Sequence, residues 1–180
     1  MTTYSIDTSH SEIGFSVRHM VFAKVRGQFK TWNATLEYDA AAPAKSVVTV
    51  EVDTASIDTR EAQRDAHLRS ADFFDSESHP KMTFKSTRVE PAGEGKYKLI
   101  GDLTIRGTTN EVTLDVEQTG AGKDPWGNDR LGFAARATIN RSDWGLKWNQ
   151  ALEAGGVLVS DKVELEIEVQ VVAKAGTVAA

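Results

Sequence analysis

Apolar and polar residues alternate with a period of two through most of this chain, the pattern of strands with one face turned to a core and the other to water. "EIGFSVRHM" sets Ile13, Phe15, Val17 and His19 on one face. "VVTVEVDTASI" alternates Val48, Val50 and Val52 with Thr49, Glu51 and Asp53, and "KMTFKSTRVE" places Met82 and Phe84 opposite Lys81, Thr83 and Lys85. "YKLIGDLTIRG" gathers Leu99, Gly101, Leu103 and Ile105 on one side, and "EVTLDVEQ" gathers Val112, Leu114 and Val116. "LGFAARATINR" does so with Leu131, Phe133, Ala135, Ala137 and Ile139. "KVELEIEVQVV" closes the series with Val163, Leu165, Ile167, Val169 and Val171. In "KVRGQFKTWNATLEY" the parity changes midway, with Phe29 on one face and Trp32, Leu36 and Tyr38 on the other. That change predicts a bulge or a strand buried on both faces.

The count is about eight long strands, antiparallel because their connections are short. Turn chemistry agrees: Pro91, Gly93 and Gly95 sit in "EPAGEGK", and "TGAGKDPWGNDR" is a longer Gly/Asp/Asn loop. A single helix is predicted in "TREAQRDAHLRSA", inside a connection, with Thr59 as its N-cap. A weaker helical turn is placed in "WGLKWNQALEAGG", closed by Gly155 and Gly156. Strands of about 9–11 residues exceed the usual length in a sandwich and tilt easily around a barrel, where closure removes exposed edges. The expectation is an all-β, eight-stranded antiparallel barrel, with a sandwich as the alternative. Gly101, Gly132, Ala135 and Ala137 among bulky residues leave room inside it.

At 180 residues the chain fits one domain, read as 1–173 with 174–180 as a frayed tail. It has no cysteine, which removes disulfides, thiol nucleophiles and thiolate metal sites. A net charge of −5 without a Lys/Arg cluster argues against nucleic acid as a partner. The opening "MTTYSIDTSH" is polar with no apolar core of a signal peptide, so a cytoplasmic location is expected. No stretch approaches the ~20 apolar residues of a transmembrane helix.

Catalytic patterns are weak. His10, His19, His67 and His79 show no metal-ligand spacing, and no cofactor motif is present. There is no G-x-S-x-G elbow, and "GEGKYK" lacks the spacing of a phosphate loop. Asp65, Asp72, Asp75 and Glu77 stand close in sequence, but acid–base work needs a carboxylate held in a dry site, and stretches this polar are usually solvated. Apolar binding remains. Phe73 and Phe74 are adjacent and Met82 and Phe84 follow in a strand, while Trp32, Trp144 and Trp148 add aromatic surface. Residue pattern alone reaches a β-barrel whose mouth or interior takes an apolar ligand, or whose aromatics are simply core.

Several motifs together resemble the YceI-like family, polyisoprenoid-binding proteins with a lipocalin-like barrel. "YSIDTSHSEIGFSVRHM" is similar to its N-terminal signature and "GQFKTWNATLEYD" to its second strand. "DTREAQRDAHLRSADFFDSESHPKMTFKS" carries Thr59, Arg64, Asp65, His67, Leu68, Phe73, Phe74, Asp75, Pro80 and Phe84 in the family's order. "GDLTIRGTTNEVTLDV", "INRSDWGLKW" and "LVSDKVELEIEV" extend the likeness over about residues 3–173. The resemblance implies a lipocalin-like barrel with an elongated apolar cavity holding an isoprenoid or other long-chain lipid. Many members of that family are periplasmic and carry a signal peptide.

The expected function is therefore non-catalytic binding, transport or storage of such a lipid, of the polyprenyl diphosphate or quinone type. The expected wall is Phe15, Val17, Phe29, Trp32, Phe73, Phe74, Met82, Phe84, Leu103, Leu114, Phe133, Trp144 and Trp148, with His19 at the headgroup. Arg64, Asp65 and His67 are read as hydrogen-bonding the helix in place, and the two Phe as wall or plug. The alternatives are an enzyme on a lipid-like substrate, with His19 or the acidic loop as acid or base, and an interaction module with a filled interior. A homodimer is compatible with the long outer strand faces.

Overall fold

The computed structural model describes residues 1–153 and 155–178, with side-chain surroundings as far as Lys174. Its strands are β1 (Thr2–Ile6), β2 (Glu12–His19), β3 (Ala23–Phe29), β4 (Trp32–Tyr38), β5 (Val47–Asp53) and β6 (Ile57–Asp58). A helix, α1 (Ala62–Arg69), precedes β7 (Lys81–Gly93), β8 (Lys96–Ile105), β9 (Thr108–Lys123), β10 (Asp129–Asn140) and β11 (Lys162–Val178). The eleven segments form one antiparallel sheet that closes on itself, because β1 pairs with both β4 and β11.

Three pairs of segments are single staves interrupted once: β1 with β2 along β11, β3 with β4, and β5 with β6. Eleven segments therefore make an eight-stranded barrel. The interruptions are neighbours. A 3-10 turn at Thr8–His10 lies between β1 and β2, and another at Thr54–Ser56 lies between β5 and β6. Between them Lys30 N–H donates to Ser56 O at 3.1 Å and Asp53 N–H to Thr31 O at 2.9 Å. The parity change of the second strand is this break: inward alternation restarts at Trp32 after Phe29. Beyond residue 173, where a tail was expected, β11 continues to Val178, opposite Thr2, and residues 179–180 lie outside the described residues.

Helix α1 differs from expectation in its cap. Glu61, not Thr59, caps it, its carboxylate accepting from Gln63 N at 3.1 Å and Arg64 N at 2.6 Å. Thr59 instead donates to the buried Asp65 carboxylate, from its backbone N at 2.9 Å and from its hydroxyl at 2.5 Å. Arg64 completes the knot on the Thr59 hydroxyl at 2.7 Å and carbonyl at 2.6 Å. The threonine is consumed by a buried network, so a carboxylate two residues nearer the helix takes the cap. In the later segment the turn is a 3-10 turn at Arg141–Trp144, ended by Gly145 in the left-handed region, so with that cap it overlaps only the first two residues of the stretch predicted to be helical.

The inward faces form three clusters, around Phe84, Leu103, Leu114 and Trp144, around Tyr4, Tyr38 and Val171, and around Phe29, Val52 and Ile57. Not every small inward residue leaves space. A Cβ at Gly101 would lie 2.5 Å from the Lys85 carbonyl oxygen and 2.6 Å from Phe84 Cζ, so the Phe84 ring already occupies that room. At Gly132 a Cβ would meet the Thr119 hydroxyl at 2.6 Å. Sterics of this kind cost about 1–3 kcal/mol. Gly101→Ala is expected to lose that much in urea unfolding; adding Phe84→Leu relieves only the ring contact and leaves the clash with the Lys85 carbonyl, so the double variant should remain less stable than the parent.

Arg130 fastens the start of β10 to two loops, donating to Asp7 Oδ2 at 2.7 Å and to Asp124 Oδ2 at 2.9 Å. Bonds from Ser9, Arg130 and His10 hold the Asp7 carboxyl well below the usual carboxylate range. At Asp124 burial opposes ionisation but is outweighed by the Asn128 N–H, Arg130 and the Trp126 N–H. Depressed folded-state values mean stabilisation that is present above about pH 4 and is lost as pH falls through the lower, folded values. Arg130→Met should therefore be less stable than the parent at pH 7, with the gap narrowing from pH 5 to pH 2 in thermal unfolding.

Candidate functional site: an apolar cavity inside the barrel

A filled barrel buries its inward side chains completely. Here Val163, Leu165, Ile167 and Val169 of β11 point inward yet are only half-buried, while Val171, next in the same row, is 1% exposed. Ile13, Phe15 and Val17 on β2, and Ala135 and Ile139 on β10, are half-buried in the same way. These three strands are neighbours in the sheet. Their inward side chains face a cavity of about 600 Å³ that runs through the barrel. That volume lies in the range of sites that enclose a small ligand.

One end is packed shut. Tyr4 stands edge-on to Tyr38 at 6.3 Å between ring centres, Tyr38 edge-on to Phe133 at 5.9 Å, and Val171 fills the space beneath. Burial, with Tyr97 beside the hydroxyl, pushes the Tyr38 phenol up to about 12, so this end carries no charge from Tyr38 at neutral pH.

The other end is where α1, the β2–β3 hairpin and the segment 141–161 meet, and its lining is polar. Gln63 and Arg64, both exposed, reach the cavity there, beside half-buried His19 and His67. His67 bonds Asp72 at 2.8 Å through Nε2 and stands edge-on to Phe73 at 5.1 Å and Trp148 at 4.6 Å. Phe73 is fixed from outside by Arg106, which donates to its carbonyl at 3.0 Å.

Arg141 is the group of this end that sequence reading missed. It is 7% exposed and lines the cavity. Its guanidinium donates to Ser160 O at 2.9 Å, Leu146 O at 2.7 Å and Val159 O at 3.4 Å, and lies 5.8 Å from the Phe73 ring centre. No carboxylate pairs with it among the described residues, and burial pushes its pKa down from the ordinary value. Three carbonyls use three of its five donors, which leaves a cation with spare donors in a dry wall. The signal in the sequence was only an Arg after a strand end in "INRSDW", a position that in an ordinary hairpin is solvated.

Of the predicted wall residues, Phe15, Val17, Phe29, Trp32, Phe73, Phe74, Met82, Phe84, Leu103, Leu114, Phe133 and Trp148 line the cavity, as does His19. Trp144 does not. Its indole N–H bonds Leu103 O at 2.9 Å, which holds the ring in the core cluster at 3% exposure. The His19 ring makes no hydrogen bond with the described residues, and its backbone bridges to Val159. Among the described residues no carboxylate lines the cavity. In the acidic loop, Asp65 is tied to Thr59 and Asp72 to His67. Arg64 and Asp65 hold the helix start by hydrogen bonds, as expected of them, whereas His67 faces the cavity as well.

Comparison with known proteins agrees with this architecture. The YceI-like domain profile matches residues 4–171. A UPF0312 protein of Vibrio cholerae is 40% identical over 173 residues, covering 95% of this chain and 87% of that protein. The crystal structure of Burkholderia cenocepacia BcnA superimposes with a TM-score of 0.81 at 25% identity, over 92% of this chain and 98% of that one. A polyisoprenoid binding domain from Saccharophagus degradans shares the fold, with a TM-score of 0.67 at 14% identity over 97% of this chain and 100% of that one. A closed eight-stave barrel, a hollow along β2, β10 and β11, and a profile match over almost the whole length place this chain in the YceI-like family.

Proposed function

We propose that this protein holds an isoprenoid or other long-chain lipid inside its barrel, as a carrier or store and not as a catalyst. The observation that carries the reading is the row of inward side chains on β2, β10 and β11 left half-buried around a cavity that no described carboxylate lines. Apolar walls that water wets poorly are stabilised by an apolar occupant. Each CH2 transferred contributes about 0.8 kcal/mol, so about fifteen carbons give roughly 12 kcal/mol gross. Lost ligand freedom takes back a substantial part. Tight holding then depends on chain length more than on polar anchoring.

We orient the ligand by the character of the two ends. The aromatic end offers a chain terminus hydrocarbon and ring edges. The helix end offers Arg141 and His19, which no described carboxylate pairs, and His67, whose Nε2 is held by Asp72; this donor set suits an acceptor-rich headgroup such as a diphosphate or a quinone carbonyl. The Saccharophagus degradans domain, described as polyisoprenoid binding, supports the ligand class through the shared fold.

Organic extraction of protein purified from its native host, followed by mass spectrometry, should yield a long-chain isoprenoid or related lipid. Protein stripped of lipid should also take up added polyprenol. No lipid in the extract together with no uptake overturns the reading. A second test fills the hollow: Ala135 lines it and is half-buried. Ala135→Phe is expected to weaken polyprenol binding more than tenfold while unfolding free energy changes by less than about 1.5 kcal/mol, because the ring enters free space. Equal lipid binding by this variant would place the ligand elsewhere.

A further inference from the structure

The hairpin joining β2 to β3 carries three large apolar residues in succession into solvent. Met20 is 40% exposed, Val21 72% and Phe22 84%. Met20 and Val21 have φ of 52° and 68°. The left-handed region is unfavourable for a β-branched side chain, and Asn, Asp or Gly is the usual occupant. A solvent-facing turn therefore carries both a conformational cost and an apolar surface, and neither helps a soluble barrel fold. The tip is also held firmly. Met20 N–H donates to Leu158 O at 2.8 Å, Arg18 N–H to the Ser160 hydroxyl at 3.0 Å, and Ser160 N–H to Arg18 O at 3.0 Å. Val157, next to that seam, adds a fourth apolar residue at 46% exposure.

The seam that holds the tip is part of the cavity mouth. His19, Leu158 and Val159 line the cavity, whereas Met20, Val21 and Phe22 do not and project beyond it. We infer that this tip seats the barrel on the surface of a lipid bilayer, with Val21 and Phe22 inserted among the acyl chains and the mouth facing the membrane. Surface area favours a bilayer over a second protein. Three side chains, one of them aromatic, offer on the order of 400 Å², about half of what each partner gives a stable protein interface. The tip is narrow and convex, a shape that enters a fluid layer without a matching pocket. Little net charge stands at the tip: Lys24 is paired with Glu164 at 3.2 Å, and Arg18, opposite Lys24 in the hairpin, acts on the same carboxylate. Docking should therefore need no anionic lipid. This inference rests on the lipid-carrier reading only for its purpose, since a chain too apolar for water is best exchanged where the mouth meets the membrane.

The test uses the full chain and phosphatidylcholine vesicles carrying a polyprenol. The parent protein should co-sediment with the vesicles, in low and high salt alike, and withdraw polyprenol from them. Val21→Asn with Phe22→Asp should reduce both at least tenfold, while uptake of polyprenol from detergent micelles stays unchanged. Asn suits the backbone at position 21, so the double variant should keep or raise its thermal midpoint, by roughly 2–4 °C, which excludes misfolding as the cause. Trp126, 81% exposed in the β9–β10 turn at the opposite end, supplies the control: Trp126→Asp should bind vesicles like the parent. The inference is overturned if the parent does not co-sediment, if the double variant binds like the parent, or if Trp126→Asp is equally impaired. It is overturned in favour of a second copy if the parent forms a concentration-dependent dimer that the double variant abolishes. Vesicle binding lost in the double variant, with no polyprenol uptake by any form, leaves the docking intact and removes the carrier reading.

Discussion

Strand β11 shares one edge between two partners, β2 along Glu164–Glu168 and β1 from Val171 onward, and this shared pairing turns an open sheet into a ring. Without it β1 and β11 would each present an unpaired edge, and the inward faces would collapse onto each other as two layers. Closure fixes the distance between opposite walls. Side chains then either reach across that distance or leave it empty, and the sequence has used both options in different sectors. Phe84, Leu103 and Leu114 are buried in a packed cluster on one side of the cavity, whereas the inward residues of β2 and β11 stay half-buried around it.

The polar character of one end follows from where the long connections fall. A meander with short hairpins puts its two long insertions, α1 with its loop and segment 141–161, at the same end of the barrel. Loops supply polar groups that strands with apolar inward faces cannot. The knot of Thr59, Arg64 and Asp65 sets the helix at that rim, and carbonyls of the second insertion seat Arg141 inside it. A long hydrocarbon cavity with a donor-rich mouth is a consequence of that arrangement, as is the position of the apolar hairpin tip beside the mouth.

Some readings from residues alone were correct for a physical reason and others lacked the information. Strand positions, strand parity and antiparallel order are local: each follows from period-two alternation and turn residues within about ten positions of the chain. The parity change after Phe29 was visible, although only the neighbouring breaks at Thr8–His10 and Thr54–Ser56 explain it as a shared bend. Thr59 was legible as a capping residue, but its competing partner Asp65 becomes relevant only when the helix folds back over it.

Alternation by itself determined that this chain forms long half-buried strands, and hence that a closed antiparallel sheet is the economical solution. Residue type alone could not separate a wall from a core, because an inward Trp looks the same in both. Trp148 faces the cavity and Trp144 is buried beneath Leu103, four residues apart in one insertion. Likewise glycine at 101 signalled space that the Phe84 ring had already taken. What the tertiary structure decided was occupancy of the interior. That is a property of distances between residues remote in sequence, and it arises only after the ring has closed.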